Sequence, residues 1–345
     1  MGHGLIPKIK IQNKRIGEGE PTFIIAEAAL THEGSLNVAR ELIESVARAK
    51  ADAIKFQKFL TSELLVAGHP YYELFKKIEF SKKEWAELIK SAKKSKIIFF
   101  ADVFDKPSVD MLDVLGVPAY KLHSTDLTNP RLISYVAAKG KPIFLSVGGA
   151  TLGEIGEAVA LIKSKGNANI VLMHGHQNYP TLPKEMNLRF LQTLKQTFKL
   201  NVGFLDHSDP ENDICMIAPA AAIAFGASVI EKHITLDRGQ KRLDYQSALE
   251  PEEFRKMVEN IRNVEKTQGS PVRRISREEV KYRELVRRKT VAKVNIPAGK
   301  RITRNMLAFK RSRGGLSPVD AEKIIGKTTK IKLKKDEPIT WNKVS

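Results

Sequence analysis

Cysteine is nearly absent: Cys215 is the single one in 345 residues, which excludes an intramolecular disulfide and suits a reducing compartment. No apolar run is long enough to span a bilayer, and Met1-Gly2-His3-Gly4-Leu5-Ile6-Pro7 holds no signal-peptide h-region, so a cytoplasmic location is expected. Acidic residues are scarce beside basic ones, 39 Asp and Glu against 58 Lys and Arg, a formal net charge of +19. The excess is local. Residues 271–345 hold 22 Lys/Arg and 7 Asp/Glu (+15), which leaves 36 and 32 (+4) for residues 1–270. Such a patch can meet nucleic acid, an anionic ligand or an acidic face of a partner subunit. No zinc-finger, RNP or recognition-helix signature accompanies it, which disfavours nucleic acid.

With 42% hydrophobic and 28% charged residues, the chain has the composition of a globular protein with one large and one smaller domain. Apolar runs and helix-periodic stretches alternate along most of it. Strands are expected at 22–26, 53–58, 96–101, 118–124, 142–149, 169–174, 202–205 and 228–230. Helices are expected at 36–50, 82–94 (with Ser81 as N-cap), 108–115, 130–139, 152–164, 188–198, 217–227 and 251–267. Eight strand–helix units in about 265 residues predict a (β/α)8 TIM barrel. An open doubly wound sheet would show a Gly-rich fingerprint after its first strand, and Ala26-Glu27-Ala28-Ala29 is not one. Gln268-Gly269-Ser270-Pro271 marks a boundary, so the division expected is a barrel over 1–268, a basic linker over 269–289 and a small β-rich domain over 290–345. Short strands are expected in that last domain at 291–294, 296–299 and 330–333. It is too small to bury much core unaided and should pack on its own barrel or a neighbour's.

Barrel chemistry sits at the carboxyl ends of the strands. Those ends carry Glu27, Lys55 with Gln57, Asp102, Lys121 with Ser124 and Asp126, Ser146, Gln177 with Tyr179, Asp206 with His207, and Glu231 with His233. Lys55 and Lys121 interrupt apolar strands, where an unpaired charge is costly, so each needs a ligand or a salt-bridge partner. Lysines with hydroxyl and amide groups at one mouth suit a phosphate or carboxylate. His207 and His233 end successive strands and suit one divalent metal, although strand-end histidines often bond no more than nearby backbone.

The motifs Ile25-Ala26-Glu27, His32-Glu33-Gly34-Ser35, Ile54-Lys55-Phe56-Gln57-Lys58, Pro118-Ala119-Tyr120-Lys121, Gly203 with Asp206-His207, Glu231-Lys232-His233-Ile234-Thr235 and Ser247-Ala248-Leu249-Glu250-Pro251 resemble, together, those of the sialic acid synthase (N-acylneuraminate synthase) family over almost the whole chain. The stretch from Val291 through Ile296-Pro297-Ala298-Gly299 and Lys310-Arg311 to Gly326-Lys327 resembles the family's antifreeze-like (SAF, β-clip) domain. The resemblance implies metal-dependent condensation of phosphoenolpyruvate (PEP) with the open-chain aldehyde of an N-acyl amino sugar, N-acetylmannosamine-like and free or 6-phosphorylated. The products are a nine-carbon 2-keto acid and phosphate. It implies Mn2+, or Mg2+ or Co2+, on His207 and His233, with Glu27 and Asp244 acting through water. Lys55, Gln57, Lys121, Ser124, Ser146, Gln177 and Tyr179 would bind PEP, and Glu27, then Asp126, would be the catalytic carboxylate. Arg311 would reach the sugar from a partner subunit in a domain-swapped homodimer.

Three positions depart from the family pattern. Leu205 stands where many members have Ser, Asp102 where many have Thr, and Gln177 where Asn is usual. An anionic Asp102 beside a phosphate is unfavourable unless it faces a lysine or the metal. His174 and His176 match no family role and read as structural polar residues of the sixth-strand loop. The alternatives are a legionaminic, pseudaminic or spore-coat sugar acid as product, or a non-catalytic nucleic-acid-binding protein.

Overall fold

A strand that is apolar on both faces needs cover on both, and the central strands of this chain are buried at nearly every position. The computed structural model describes residues 6–345, which divide into two units, one ending at Gly269 and one beginning at Ser270. The first unit opens with an antiparallel hairpin, β1 (Ile9–Ile11) and β2 (Lys14–Ile16). Then come eight parallel strands: β3 (Phe23–Ala29), β4 (Ala53–Lys58), β5 (Ile98–Val103), β6 (Tyr120–Leu122), β7 (Ile143–Ser146), β8 (Ile170–His174), β9 (Asn201–Asp206) and β10 (Val229–Ile234). Each pairs with the next, and β10 pairs with both β9 and β3, which closes the barrel; the two-residue β11 (Ala248–Leu249) adds to β10.

The helices that follow the strands form the outer ring: α1 (Leu36–Arg48), the short α2 (Thr61–Leu64) and α3 (Tyr72–Ile78), α4 (Lys82–Lys94), α5 (Lys106–Val114), α6 (Pro130–Ala137), α7 (Leu152–Ser164), α8 (Phe190–Phe198), α9 (Ile214–Ala224) and α10 (Pro251–Gln268). Ser81 with Glu84 and Thr151 with Glu154 form reciprocal capping boxes that start α4 and α7.

Side chains alternate across each strand. The inward positions Phe23, Ile25, Phe100, Phe144, Met173 and Leu205 fill the lower barrel together with Ile9, Ile11 and Ile16 of the hairpin. The Phe100 and Phe144 rings stack at 5.0 Å. One further step up the same inward rows come Glu27, Lys55, Asp102, Lys121 and Glu231, with His233 a step beyond, so the periodicity that builds the core also builds the mouth. Gly203 is an inward position with no room for a side chain: a Cβ there would lie 2.5 Å from Met173 Sδ and 2.8 Å from Val229 Cβ. Gly203→Ala should therefore destabilise the barrel by about 1–3 kcal/mol through overpacking, measured as a lower urea midpoint at an unchanged slope.

The eighth strand runs past the expected 228–230 through Ile234, because pairing with β3 and β9 holds the polar Glu231-Lys232-His233 in extended form. The fourth is shorter than 118–124: Pro118 has no N–H to give a ladder, and His123 caps a 3-10 turn over Ser124–Asp126.

In the second unit, α11 (Arg277–Val286) has a Ser276 capping box and buries no residue; it lies within the stretch read from sequence as a linker. The strands β12 (Arg288–Ala292) and β13 (Leu307–Arg311) are antiparallel. Its core includes Ile296, Ile302, Leu316, Ile324, Leu333 and Ile339. The strands expected at 296–299 and 330–333 reduce to a single bridge, Ile296 to Leu333. Pro297 cannot donate to a ladder, and Gly299, at φ 73°, turns the chain away. No helix among the described residues is long and apolar enough to cross a membrane.

Candidate active site

Glu27 and Lys55 lie side by side in the β3–β4 register, as do Asp102 and Lys121 in the β5–β6 register. Lys55 is fully buried, with its Nζ against the Glu27 carboxylate, 2.9 Å from Asp102 Oδ2 and 3.6 Å from Glu231 Oε1. Lys121 Nζ donates to Glu231 Oε1 at 2.5 Å and lies 3.9 Å from Asp102 Oδ2. Two ammonium groups thus sit among three carboxylates out of contact with water. Burial pushes the Lys55 pKa down to about 8 against the pull of Asp102 and Glu231. Burial also lowers that of Lys121, but Asp102 and Glu231 outweigh it and hold Lys121 protonated above the ordinary lysine range. Desolvation would raise Asp102, yet Lys121 and Lys55 keep it below the ordinary carboxylate range. The anionic Asp102 therefore faces lysines, the condition its position required.

The cluster is not self-sufficient. Asp102 Oδ1, Glu231 Oε2 and Ser146 Oγ are buried with no hydrogen-bond partner among the described residues. Native structures rarely leave such atoms orphaned, and three at one mouth mark where a polar ligand would be bound.

Beside the cluster, His207 Nδ1 lies 2.8 Å from the His176 carbonyl and donates to it, which makes Nε2 an acceptor for the Tyr179 hydroxyl at 3.3 Å. The His207 ring stacks on Tyr179 at 4.4 Å and lies 5.3 Å from the His233 ring, whose Nδ1 is also orphaned. Burial keeps both imidazoles neutral: His207 is pushed down to about 4 and His233 well below its ordinary value. Two neutral imidazoles, one with an orphaned nitrogen and one whose Nε2 lone pair is met by no more than a tyrosine hydroxyl, are a donor set that a divalent transition metal accepts. Among the described residues no three His, Cys, Asp or Glu side chains form a complete cage; the remaining positions would fall to water or substrate, as in open catalytic sites. Asp244 is held in the left-handed region at φ 64°, and burial raises its pKa against the opposing charge of Lys55. Burial raises the Tyr179 hydroxyl too, with the Asp244 charge next.

The other expected positions are more dispersed. Gln57 is half-buried on β4 and pairs in register with Asp102. Ser124 opens the turn after β6, and Asp126 ends it, accepting from Asn129 Nδ2 at 2.9 Å with its pKa raised by burial. Asp126 makes no ion pair with either lysine among the described residues. Gln177 lies over Gly148, where a Cβ would come within 2.6 Å of Gln177 Nε2 and 2.5 Å of the Gly175 carbonyl; the glycine lets the two loops meet. Arg311 belongs to the second unit, exposed at the end of β13 opposite Arg288.

One strand end is corrected. Asp206 does not face the mouth: it falls between inward Leu205 and His207, so the strand turns it outward, where it pairs with Lys232 at 3.1 Å. Leu205 joins the apolar lower barrel. His174 also faces outward, bonding the Met186 carbonyl at 3.0 Å, and His176 lends its carbonyl to His207. Sequence reasoning gave Glu231 no role, although counting two residues back from His233 places it inward.

The NeuB family pattern matches residues 42–273 and the SAF domain pattern residues 288–345. N,N'-diacetyllegionaminic acid synthase of Campylobacter jejuni is 37% identical over 334 residues, 92% of this chain and 98% of that protein. Human N-acetylneuraminate-9-phosphate synthase is 32% identical over 342 residues, 94% of this chain and 93% of that one. The crystal structure of N-acetylneuraminic acid (sialic acid) synthetase from Leptospira borgpetersenii, in complex with citrate, matches with a TM-score of 0.76 and 36% identity, covering 82% of this chain and 98% of that one. With the closed barrel, the lysine-lined mouth and these matches together, the chain belongs to the NeuB family and carries a SAF domain at its C-terminal end.

Proposed function

We propose that this protein condenses PEP with the open-chain aldehyde of an N-acyl amino sugar to give a nine-carbon 2-keto sugar acid and phosphate. The observation that carries this reading is the mouth itself: two buried lysines among three carboxylates, three orphaned polar atoms beside them, and two neutral imidazoles within reach. Relatives named as N,N'-diacetyllegionaminic acid and N-acetylneuraminate-9-phosphate synthases support a product of the sialic acid type.

In this reading Lys55 and Lys121 offset the phosphate and carboxylate charge of PEP, and Ser124, Ser146, Gln57, Gln177 and Tyr179 supply neutral hydrogen bonds around it. C3 of PEP forms the new C–C bond to the aldehyde carbon, and the aldehyde oxygen takes a proton. Water then adds to the cation at C2, and phosphate leaves with cleavage of its C–O bond. Glu27, whose Oε1 accepts from the Ala29 N–H at 2.7 Å, is held in place to take the proton of that water, with Asp126 second. His207 and His233 would hold Mn2+, Mg2+ or Co2+, with Glu27 and Asp244 acting through water. The metal, when bound, polarises the sugar aldehyde. Arg311, exposed and without an acidic partner among the described residues, would come from the SAF domain of the other subunit of a domain-swapped homodimer to hold the sugar.

The test is incubation with Mn2+, PEP and a panel of N-acyl hexosamines, free and 6-phosphorylated. Phosphate release with a 2-keto acid is expected, and mass spectrometry separates the sialic, legionaminic and pseudaminic types. Binding of PEP and Mn2+ with no turnover on any sugar would overturn the assignment.

A further inference from the structure

The two imidazoles of the mouth are flanked, on the other face of the same strands, by a charge pair that the proposed reaction does not use. Lys232 precedes His233 on β10, and Asp206 and Ser208 bracket His207 at the end of β9. Alternation sends all three to the outer face of the barrel. Lys232 and Asp206 are both fully buried there, with Nζ and Oδ2 3.1 Å apart. Nζ also donates to the Ser208 carbonyl at 2.9 Å and to Ser208 Oγ at 3.1 Å, and the Ser208 N–H donates to Asp206 Oδ1 at 2.9 Å. The charges of Lys232 and Asp206 both reach Cys215 of α9, which places the pair in the layer between strands and helices.

A buried ion pair is a weak source of stability, since desolvating both charges costs about as much as their attraction returns. What such a pair does supply is a fixed geometry. The two acceptors of Lys232, both on Ser208, and its ion-pair partner Asp206 flank His207 on either side, and the lysine itself is joined by one peptide bond to His233. We infer that Lys232, through Asp206 and Ser208, is a positioning residue that sets the spacing and orientation of His207 and His233. It holds the ends of β9 and β10 together where the ladder between them stops at the Lys232–Asp206 register pair. The inference rests on the proposed metal role of those histidines and extends it to side chains that touch neither metal nor substrate.

The test uses the full-length double variant Lys232→Met/Asp206→Asn, which removes both charges and leaves no lone buried ion. Mn2+ affinity, read by electron paramagnetic resonance, should weaken about 10–100-fold, the usual cost of losing an outer-shell support, while PEP affinity stays within about twofold. Ser208→Ala, which deletes one of the two hydrogen-bond acceptors, should give a smaller loss in the same direction and stands in if the double variant does not fold. Wild-type Mn2+ affinity in a folded variant would overturn the inference. If the wild type itself fails to bind Mn2+, the metal reading fails instead. Imidazole 1H–15N correlation spectra of the metal-free protein then decide: one tautomer for each histidine in the wild type and mixed tautomers in the variant are expected, and unchanged spectra would overturn the positioning role.

Discussion

Lys55→Met should lower kcat/KM for condensation by about 1,000-fold or more, since it removes a charge aimed at the reacting anion from a site that water does not reach. The same change should destabilise the fold by about 3–5 kcal/mol, the cost of breaking a buried ion pair from one side. Glu27, Asp102 and Glu231 all lie within 4 Å of this one ammonium, and without it Lys121 alone must hold three buried carboxylates. The two effects separate in Lys55→Met/Asp102→Asn. Removing one carboxylate restores the charge balance, so the double variant should regain much of the lost stability in urea unfolding and none of the lost phosphate release. A single variant as stable as the wild type would show that the cluster is protonated or solvated rather than ionised and dry. A double variant with recovered turnover would show that Lys55 serves structure alone.

That cluster also shows how much of the site was legible beforehand. The eight-unit alternation of apolar runs and helical stretches was strong enough to give the barrel, and a lysine inside an apolar strand is a rare enough pattern to mark Lys55 and Lys121. Asp102 was puzzling as a lone residue and is ordinary as a partner, because its register neighbour is Lys121. Pairings across a sheet depend on register, which linear spacing does not carry. Asp206 was misplaced for a simpler reason: proximity to a histidine in sequence was given more weight than the period of two that sends neighbours to opposite faces. The small second unit was the least legible. Its core is held by single bridges and turns around Pro297 and Gly299 rather than by long strands, and such contacts leave little periodic trace.

Acid should unfold the metal-free protein well above the carboxylate range. Two buried histidines and a half-buried one carry the argument: His32 is pushed down to about 3, and the half-buried His123 and the buried His207 to about 4, desolvation being the leading cause in each. A histidine in the unfolded chain takes its proton near pH 6.5, and these cannot do so in the folded one. As pH falls from about 6.5 towards 4, the unfolded state therefore binds more protons than the folded state, and stability drops by up to about 1.4 kcal/mol per pH unit for each such group. The depressed Asp102 acts with the same sign but lower down, since its stabilising contribution is lost below the ordinary aspartate range. Urea midpoints in EDTA should thus decline between pH 7 and pH 4.5, before carboxylates titrate in number. His32→Asn isolates one contributor. His32 Nδ1 accepts the Gly34 N–H at 3.0 Å, and its ring stacks on Phe80 at 4.3 Å. Asparagine keeps an acceptor for the turn, gives up the stacking and has no proton to gain. The variant should be less stable at pH 7.5 yet lose less on acidification, so its pH profile is flatter than the wild type's. Parallel profiles for the two proteins would show that His32 protonates in the folded state and that its burial does not oppose the charge.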